Sequence, residues 1–251
     1  MHSSRRHFAP LLAPLAAAWM AAACGDAPTQ ATSFAQQAGG RTWVAVAEPA
    51  GMPDARTWLP YVAPADARRI RSLVADAAKL RRGGELEAGL VMEAQARLAA
   101  AQYLAHDPPP APMTAALLAV REWETRAGDR LRAGQYPGLD STLAVVASGR
   151  AAAEAALDRG DTRAAAGLLA DAGETARGYS PVRVALRLVE RAEQRIDADP
   201  SPSPDLRRAR RLLRTAREAM AMGDETRAMK RAWYAQQIVD AHDAGTADSL
   251  R

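Results

Sequence analysis

The chain has 251 residues, of which 25% are charged and 5% aromatic, and it contains one cysteine. A formal net charge of +4, two units of which come from Arg5 and Arg6, is too small to indicate a nucleic-acid-binding surface. A single cysteine excludes a disulfide within the monomer, and the abundance of alanine favours helices.

The first 24 residues have the parts of an export signal. Arg5 and Arg6 precede an apolar run over residues 11–23, which is shorter than the roughly 20 residues needed to span a bilayer. The run ends in Ala21-Ala22-Ala23-Cys24, which resembles the lipobox of bacterial lipoproteins, although that family usually carries leucine at the place of Ala21. The resemblance implies a signal peptide over residues 1–23 and an acylated Cys24, for example by palmitate. A plain signal peptide cut nearby, with Cys24 unmodified, is the alternative.

Two further features concern the export route and the destination. Ser4-Arg5-Arg6-His7-Phe8 resembles the twin-arginine signal of proteins that are exported folded, although adjacent arginines also arise by chance in an arginine-rich chain. In enteric lipoproteins an aspartate directly after the acylated cysteine retains the protein at the inner membrane, whereas this chain has Gly25. The resemblance therefore implies a place in the cell envelope, on the periplasmic side of the outer membrane or at the cell surface.

Residues 24–64 are rich in proline and glycine and show no lasting periodicity. This composition predicts a lipid-anchored tether. Within it, residues 42–46 form a short, mostly apolar run, which predicts either a short strand or an apolar strip that docks on the helices.

From residue 65 to residue 245 the spacing of apolar residues is helical. Seven interruptions break this pattern: Gly83-Gly84, the prolines at 108–110, residues 134–138, Gly160, Ser180-Pro181, residues 199–204 and Gly223. These interruptions predict about eight helices in an all-α domain, with a candidate sub-boundary at the proline-rich residues 199–204. Whether the helices form an open array or a closed bundle stays undecided at this stage.

Three of the turns share a spacing. In each turn a large apolar residue lies three positions before a glycine, and an acidic or small residue directly follows that glycine. An alanine comes four positions later, at 88, 165 and 228. Glycine permits a positive φ, aspartate caps the next helix, and alanine allows close helix contact. The pattern resembles the turn and second helix of tetratricopeptide repeats, which implies antiparallel hairpins that bind other proteins. The 34-residue period of that family is absent, and convergence of short α-hairpins on the same spacing is the alternative.

The residues that could support catalysis do not form a recognisable motif. His106 and His242 lie beside aspartates at expected helix ends, where a solvated histidine is the simplest interpretation, and neither has a second histidine or cysteine at metal-binding spacing. No phosphate-binding glycine loop or nucleophile motif occurs. The sequence therefore predicts no catalytic residues, metal or cofactor.

Two groups of residues are candidates for contact with a partner protein. Aromatic residues are scarce in this chain and are favoured as interface anchors, so Trp123, Trp233 and Tyr234 are candidates. Packing of the alanine-rich core is their alternative role. Arg207, Arg208 and Arg211 belong to a dense basic run that could contact an acidic partner or anionic lipid headgroups; a solvated face is the alternative.

These observations favour an exported, lipid-anchored helical scaffold or adaptor that binds another envelope protein or assists the assembly of a complex. A small-ligand or cofactor-binding envelope protein is the first alternative. A cell-wall-acting enzyme is the second, and the scarcity of aromatic residues argues against it.

Overall fold

The computed structural model describes residues 44–133, 138–199 and 203–249, and these residues are mostly helical. A short helix, α1 (Ala55–Trp58), leads through a 3-10 turn (Leu59–Tyr61) into the longer helices. Those are α2 (Pro64–Arg82), α3 (Leu86–Gln102), α4 (Pro110–Ala133), α5 (Leu139–Asp158), α6 (Thr162–Arg177), α7 (Pro181–Ala198), α8 (Pro204–Ala221) and α9 (Glu225–Ser249). The all-α prediction is confirmed for this part of the chain. No helix in it is both long and apolar enough to cross a membrane.

Three antiparallel hairpins, α2/α3, α5/α6 and α8/α9, share one turn geometry. Gly84, Gly160 and Gly223 have φ values of 90°, 76° and 75°. In each turn the N–H of the residue after the glycine donates to the carbonyl five residues back, at 2.9 Å. This is the Schellman arrangement, which satisfies carbonyls at a helix end. Asp161 and Asp224 then cap the second helix of their hairpins, as expected.

In the first hairpin the turn glycine lies one residue later than the shared spacing predicts. Gly83 keeps a negative φ at the end of α2, and the positive φ belongs to Gly84. Counting from Gly84, the position of closest helix contact is Gly89, which is buried, whereas Ala88 is exposed. Because Gly83 and Gly84 are adjacent, spacing alone does not show which of them takes the positive φ.

We expect Gly89→Ala to destabilise the protein by about 1–2 kcal/mol, although alanine is normally the better helix former by about 1 kcal/mol. A Cβ at Gly89 would lie 2.5 Å from Arg81 Cγ and 2.9 Å from the Ala77 carbonyl oxygen, so α2 and α3 would have to separate. Gly167→Ala in α6 is the matched control, because a Cβ there meets nothing within 4 Å. It should stabilise by about 0.5–1 kcal/mol. Urea unfolding of both variants would contradict this account if the two free energies changed in the same direction.

Residues 44–53, here called the strap, differ from the expected tether. The Val46 N–H donates to the Tyr179 carbonyl at 2.8 Å, and Val44, Val46 and Met52 are buried. Residues 44–46 therefore form a docked apolar strip and no strand. Trp58 of α1, which follows the strap, is also fully buried, so the helical domain begins before residue 65. Residues 24–43 of the expected tether lie outside the described part.

The buried apolar residues form two clusters. One extends from the strap through α1–α6, and the other joins α7, α8 and α9 with Leu86 and Leu90 of α3. Because α7 packs with α8 and α9, the expected sub-boundary at 199–204 does not separate two cores. The division between the clusters lies earlier, between α6 and α7. Leu86 and Leu90 of α3 lie on the α7 side of this division, so the seam between the clusters passes along α3 and α7.

Candidate functional site: a buried charge cluster and the groove above it

A carboxylate is fully buried where α3, α6 and α7 meet. Glu174, near the end of α6, has a side chain that is 1% exposed. Arg97 Nε of α3 donates to its Oε2 at 2.7 Å, and Arg183 Nη2 of α7 donates to its Oε1 at 2.7 Å. Arg177 Nη1 lies 3.9 Å from Oε2. We call these four residues the Glu174 cluster. It ties three helices together through one acceptor group.

The Glu174 cluster is extended by pairs at its margin. Arg177 Nε donates to Glu48 Oε2 of the strap at 3.0 Å, and Arg81 Nη1 of α2 donates to Glu93 Oε1 at 2.8 Å. Burial lowers the pKa of Arg177, and the charge of Arg97 adds to this effect against the attraction of Glu48 and Glu174. Arg177 stays charged, because an arginine is not deprotonated in proteins. Its Nη1 is buried and has no hydrogen-bond acceptor among the described residues.

Two cavities lie along the facing sides of α3 and α7. The first, of about 230 Å³, lies beside the cluster and includes Leu90, Val182 and Arg183 in its lining. The second, of about 600 Å³, is lined by residues 84–88 together with Leu186, Glu190, Gln194 and Arg217. We call the two together the α3–α7 groove.

The order of the lining residues defines the groove. Leu90 lies with Val182 in one cavity, and Leu86 lies with Leu186 in the other, so α3 and α7 run in opposite directions. These four residues are 6–8% exposed. Arg183 Nη2 also donates to the Leu90 carbonyl at 3.2 Å, which links the helices across the seam. The groove therefore has a small apolar base under a lining that is mainly polar and charged.

The aromatic contact candidates divide into buried and accessible residues. Trp123 is fully buried in the core of α1–α6, so it cannot present its ring to a partner in this structure. Its position corresponds to the alternative role of packing the alanine-rich core, where bulk is scarce and the large ring fills space. Trp233 is half-buried on α9 and meets Tyr234 edge-on at 5.4 Å between ring centroids. Tyr234 is 43% exposed and stays a candidate.

The arginine run on α8 has two sides. Arg217 Nε donates to Glu193 Oε1 of α7 at 3.0 Å, and Arg210 Nη2 donates to the Ile196 carbonyl at 3.4 Å. These two therefore hold α8 to α7. Arg207, Arg208 and Arg211 are exposed, and the last two form no ion pair within the described ranges. All three stay candidates for contact with a partner.

Cys24 lies outside the described residues, so its acylation stays a prediction. His106 is exposed, as expected. His242 instead lies within α9, half-buried, with Nε2 3.0 Å from Asp199 Oδ2. No group of three or more His, Cys, Asp or Glu side chains is placed to hold a metal ion in the part of the chain that the structure describes.

Sequence reasoning missed both the Glu174 cluster and the groove. The available signal was Glu174 itself, which follows the buried Ala166 and Ala170 at four-residue steps on α6. A carboxylate at a core position is rarely buried unless it is paired. The identity of its arginine partners could not be read from spacing, because Arg97 lies on a different helix. No protein-family model matches the chain, and no curated protein or solved structure does so.

Proposed function

We propose that this protein is an exported, lipid-anchored helical scaffold that binds another protein of the cell envelope. The observation that carries the proposal is the α3–α7 groove, two cavities along α3 and α7 whose charged walls surround a small apolar base. Grooves between helices are a recurrent docking place for protein segments, since the apolar base supplies affinity and the walls supply orientation.

The anchor rests on the resemblance of Ala21-Ala22-Ala23-Cys24 to a lipobox. An acylated Cys24 would hold the protein at a membrane surface, where a partner is concentrated. The exposed Tyr234, Arg208 and Arg211 offer a second surface for such a partner. Tetratricopeptide-like stacking of the three hairpins is part of the same proposal.

A second candidate function is binding of a small carboxylate ligand, and one observation favours it. Arg177 lines the smaller cavity and has a guanidinium nitrogen without an acceptor among the described residues. The cavity, at about 230 Å³, is smaller than the roughly 300–1,000 Å³ of typical ligand pockets. Native mass spectrometry of protein from its own host would detect a bound small molecule and separate the two functions.

The scaffold proposal predicts the result of one crosslinking experiment in native cells. A photo-reactive residue at Gln194, in the groove, should crosslink to one reproducible protein partner, whereas the same residue at the exposed Ala152 of α5 should not. Cys24→Ser should move the protein from the membrane fraction to the soluble fraction and reduce this crosslink. Unchanged membrane retention would contradict the anchor, and absence of any protein crosslink from Gln194 would contradict the scaffold.

A further inference from the structure

Every arginine that lines the α3–α7 groove already has a carboxylate partner. Arg81 pairs with Glu93, Arg177 with Glu48, and Arg97 and Arg183 share Glu174. Arg217 pairs with Glu193. These pairs set four carboxylates against five arginines, so they offset most of the positive charge of the lining.

Four carboxylates of the lining have no such partner. Glu85, Glu87, Glu190 and Glu225 line the two cavities, and none forms an ion pair with another described residue. Burial raises the pKa of Glu190, and repulsion by Glu87 raises it further. Burial also raises the pKa of Glu225, with a smaller contribution from Glu48. Arg217 opposes the rise in the pKa of Glu190, and Arg81 opposes that of Glu225. The lining and its ion-pair partners still comprise five arginines against eight carboxylates, so negative charge is in excess.

The dimensions of the groove suit a short stretch of polypeptide. Val182 to Gln194 spans about 18 Å along α7 at 1.5 Å per residue, which is the length of about five extended residues. The strap shows that extended chain docks at one end, since its Glu48 lines the first cavity and Val46 donates to the Tyr179 carbonyl. An incoming extended segment could continue from there along the apolar base.

We propose that the α3–α7 groove binds an extended basic segment of the partner protein. Lysine or arginine side chains of that segment meet Glu87, Glu190 and Glu225, and its apolar side chains lie on the apolar base of leucine and valine residues. The inference rests on the proposed scaffold function, and it adds the chemistry of the partner. Charge complementarity of this kind raises the association rate and selects against acidic segments.

The test uses two labelled octapeptides, one alternating lysine with valine and the other alternating glutamate with valine. Fluorescence anisotropy with the detergent-solubilised full-length protein should show binding of the basic peptide and none of the acidic one. The double variant Glu87→Gln/Glu190→Gln should bind the basic peptide about tenfold more weakly, at roughly threefold for each partly exposed carboxylate. Higher salt should reduce this difference.

The control is Asp158→Asn/Glu122→Gln, which removes the same number of charges from α5 and α4, outside the groove. It should bind the basic peptide within about twofold of the parent. Equal weakening by both double variants, or equal binding of the two peptides, would overturn the proposal. A crosslink at Gln194 that persists unchanged in Glu87→Gln/Glu190→Gln would also overturn the basic-segment proposal, but it would leave the scaffold function standing. Absence of any protein crosslink at Gln194 in the parent protein would contradict the scaffold function itself.

Discussion

Replacing Glu174 with alanine is expected to lower the free energy of unfolding by about 3–5 kcal/mol. The Glu174 carboxylate is the shared acceptor of Arg97 and Arg183, and it lies 3.9 Å from Arg177. Without it, Arg183 would lose its carboxylate partner, and Arg97 and Arg177 would keep only the partly exposed Glu93 and Glu48, although the three guanidinium groups are 8–17% exposed. The cost comes from uncompensated buried charge, so it exceeds the value of any one ion pair. Urea unfolding followed by circular dichroism would measure it.

Glu122→Ala is the control for that experiment. Glu122 pairs with Arg126 along α4, and both side chains are more than 40% exposed. Water replaces such a contact, so its loss should change the free energy of unfolding by less than about 0.5 kcal/mol. Similar losses for the two variants would mean that the Glu174 cluster is as well solvated as a surface pair, contrary to its burial.

The sequence was sufficient to predict the helices and most of their ends. Gly160 and Gly223 with the caps Asp161 and Asp224 are local signals, since a positive φ and a side-chain cap involve only neighbouring residues. The strap was harder to predict. Its prolines favour irregular backbone, and they do not show whether that backbone is docked or free. Docking depends on partners that are distant in sequence, such as Tyr179 and Arg177.

The candidate site could not be predicted because it depends on how hairpins stack. Arg97 and Glu174 are 77 residues apart in the chain, and no local periodicity relates α3 to α6. The groove is a space between α3 and α7, whose facing side chains are individually ordinary leucines, glutamates and arginines. Surplus charge at the groove appears only after the pairs are known, because the whole sequence has 33 basic residues (Lys and Arg) against 29 acidic residues (Asp and Glu). Sequence reasoning therefore identified the all-α fold class and did not identify the groove.

Trp123→Ala is expected to cost about 3–5 kcal/mol, because a fully buried indole would be replaced by a cavity. Tyr234→Ala, at the exposed aromatic position of α9, should cost less than about 1 kcal/mol, since its ring is 43% exposed. The same pair of variants separates packing from recognition. Tyr234→Ala would weaken partner binding without unfolding the protein if α9 carries a contact, whereas Trp123→Ala would act on stability first. Urea midpoints for Trp123→Ala that match the parent would contradict its placement in the core and return the ring to the surface candidates.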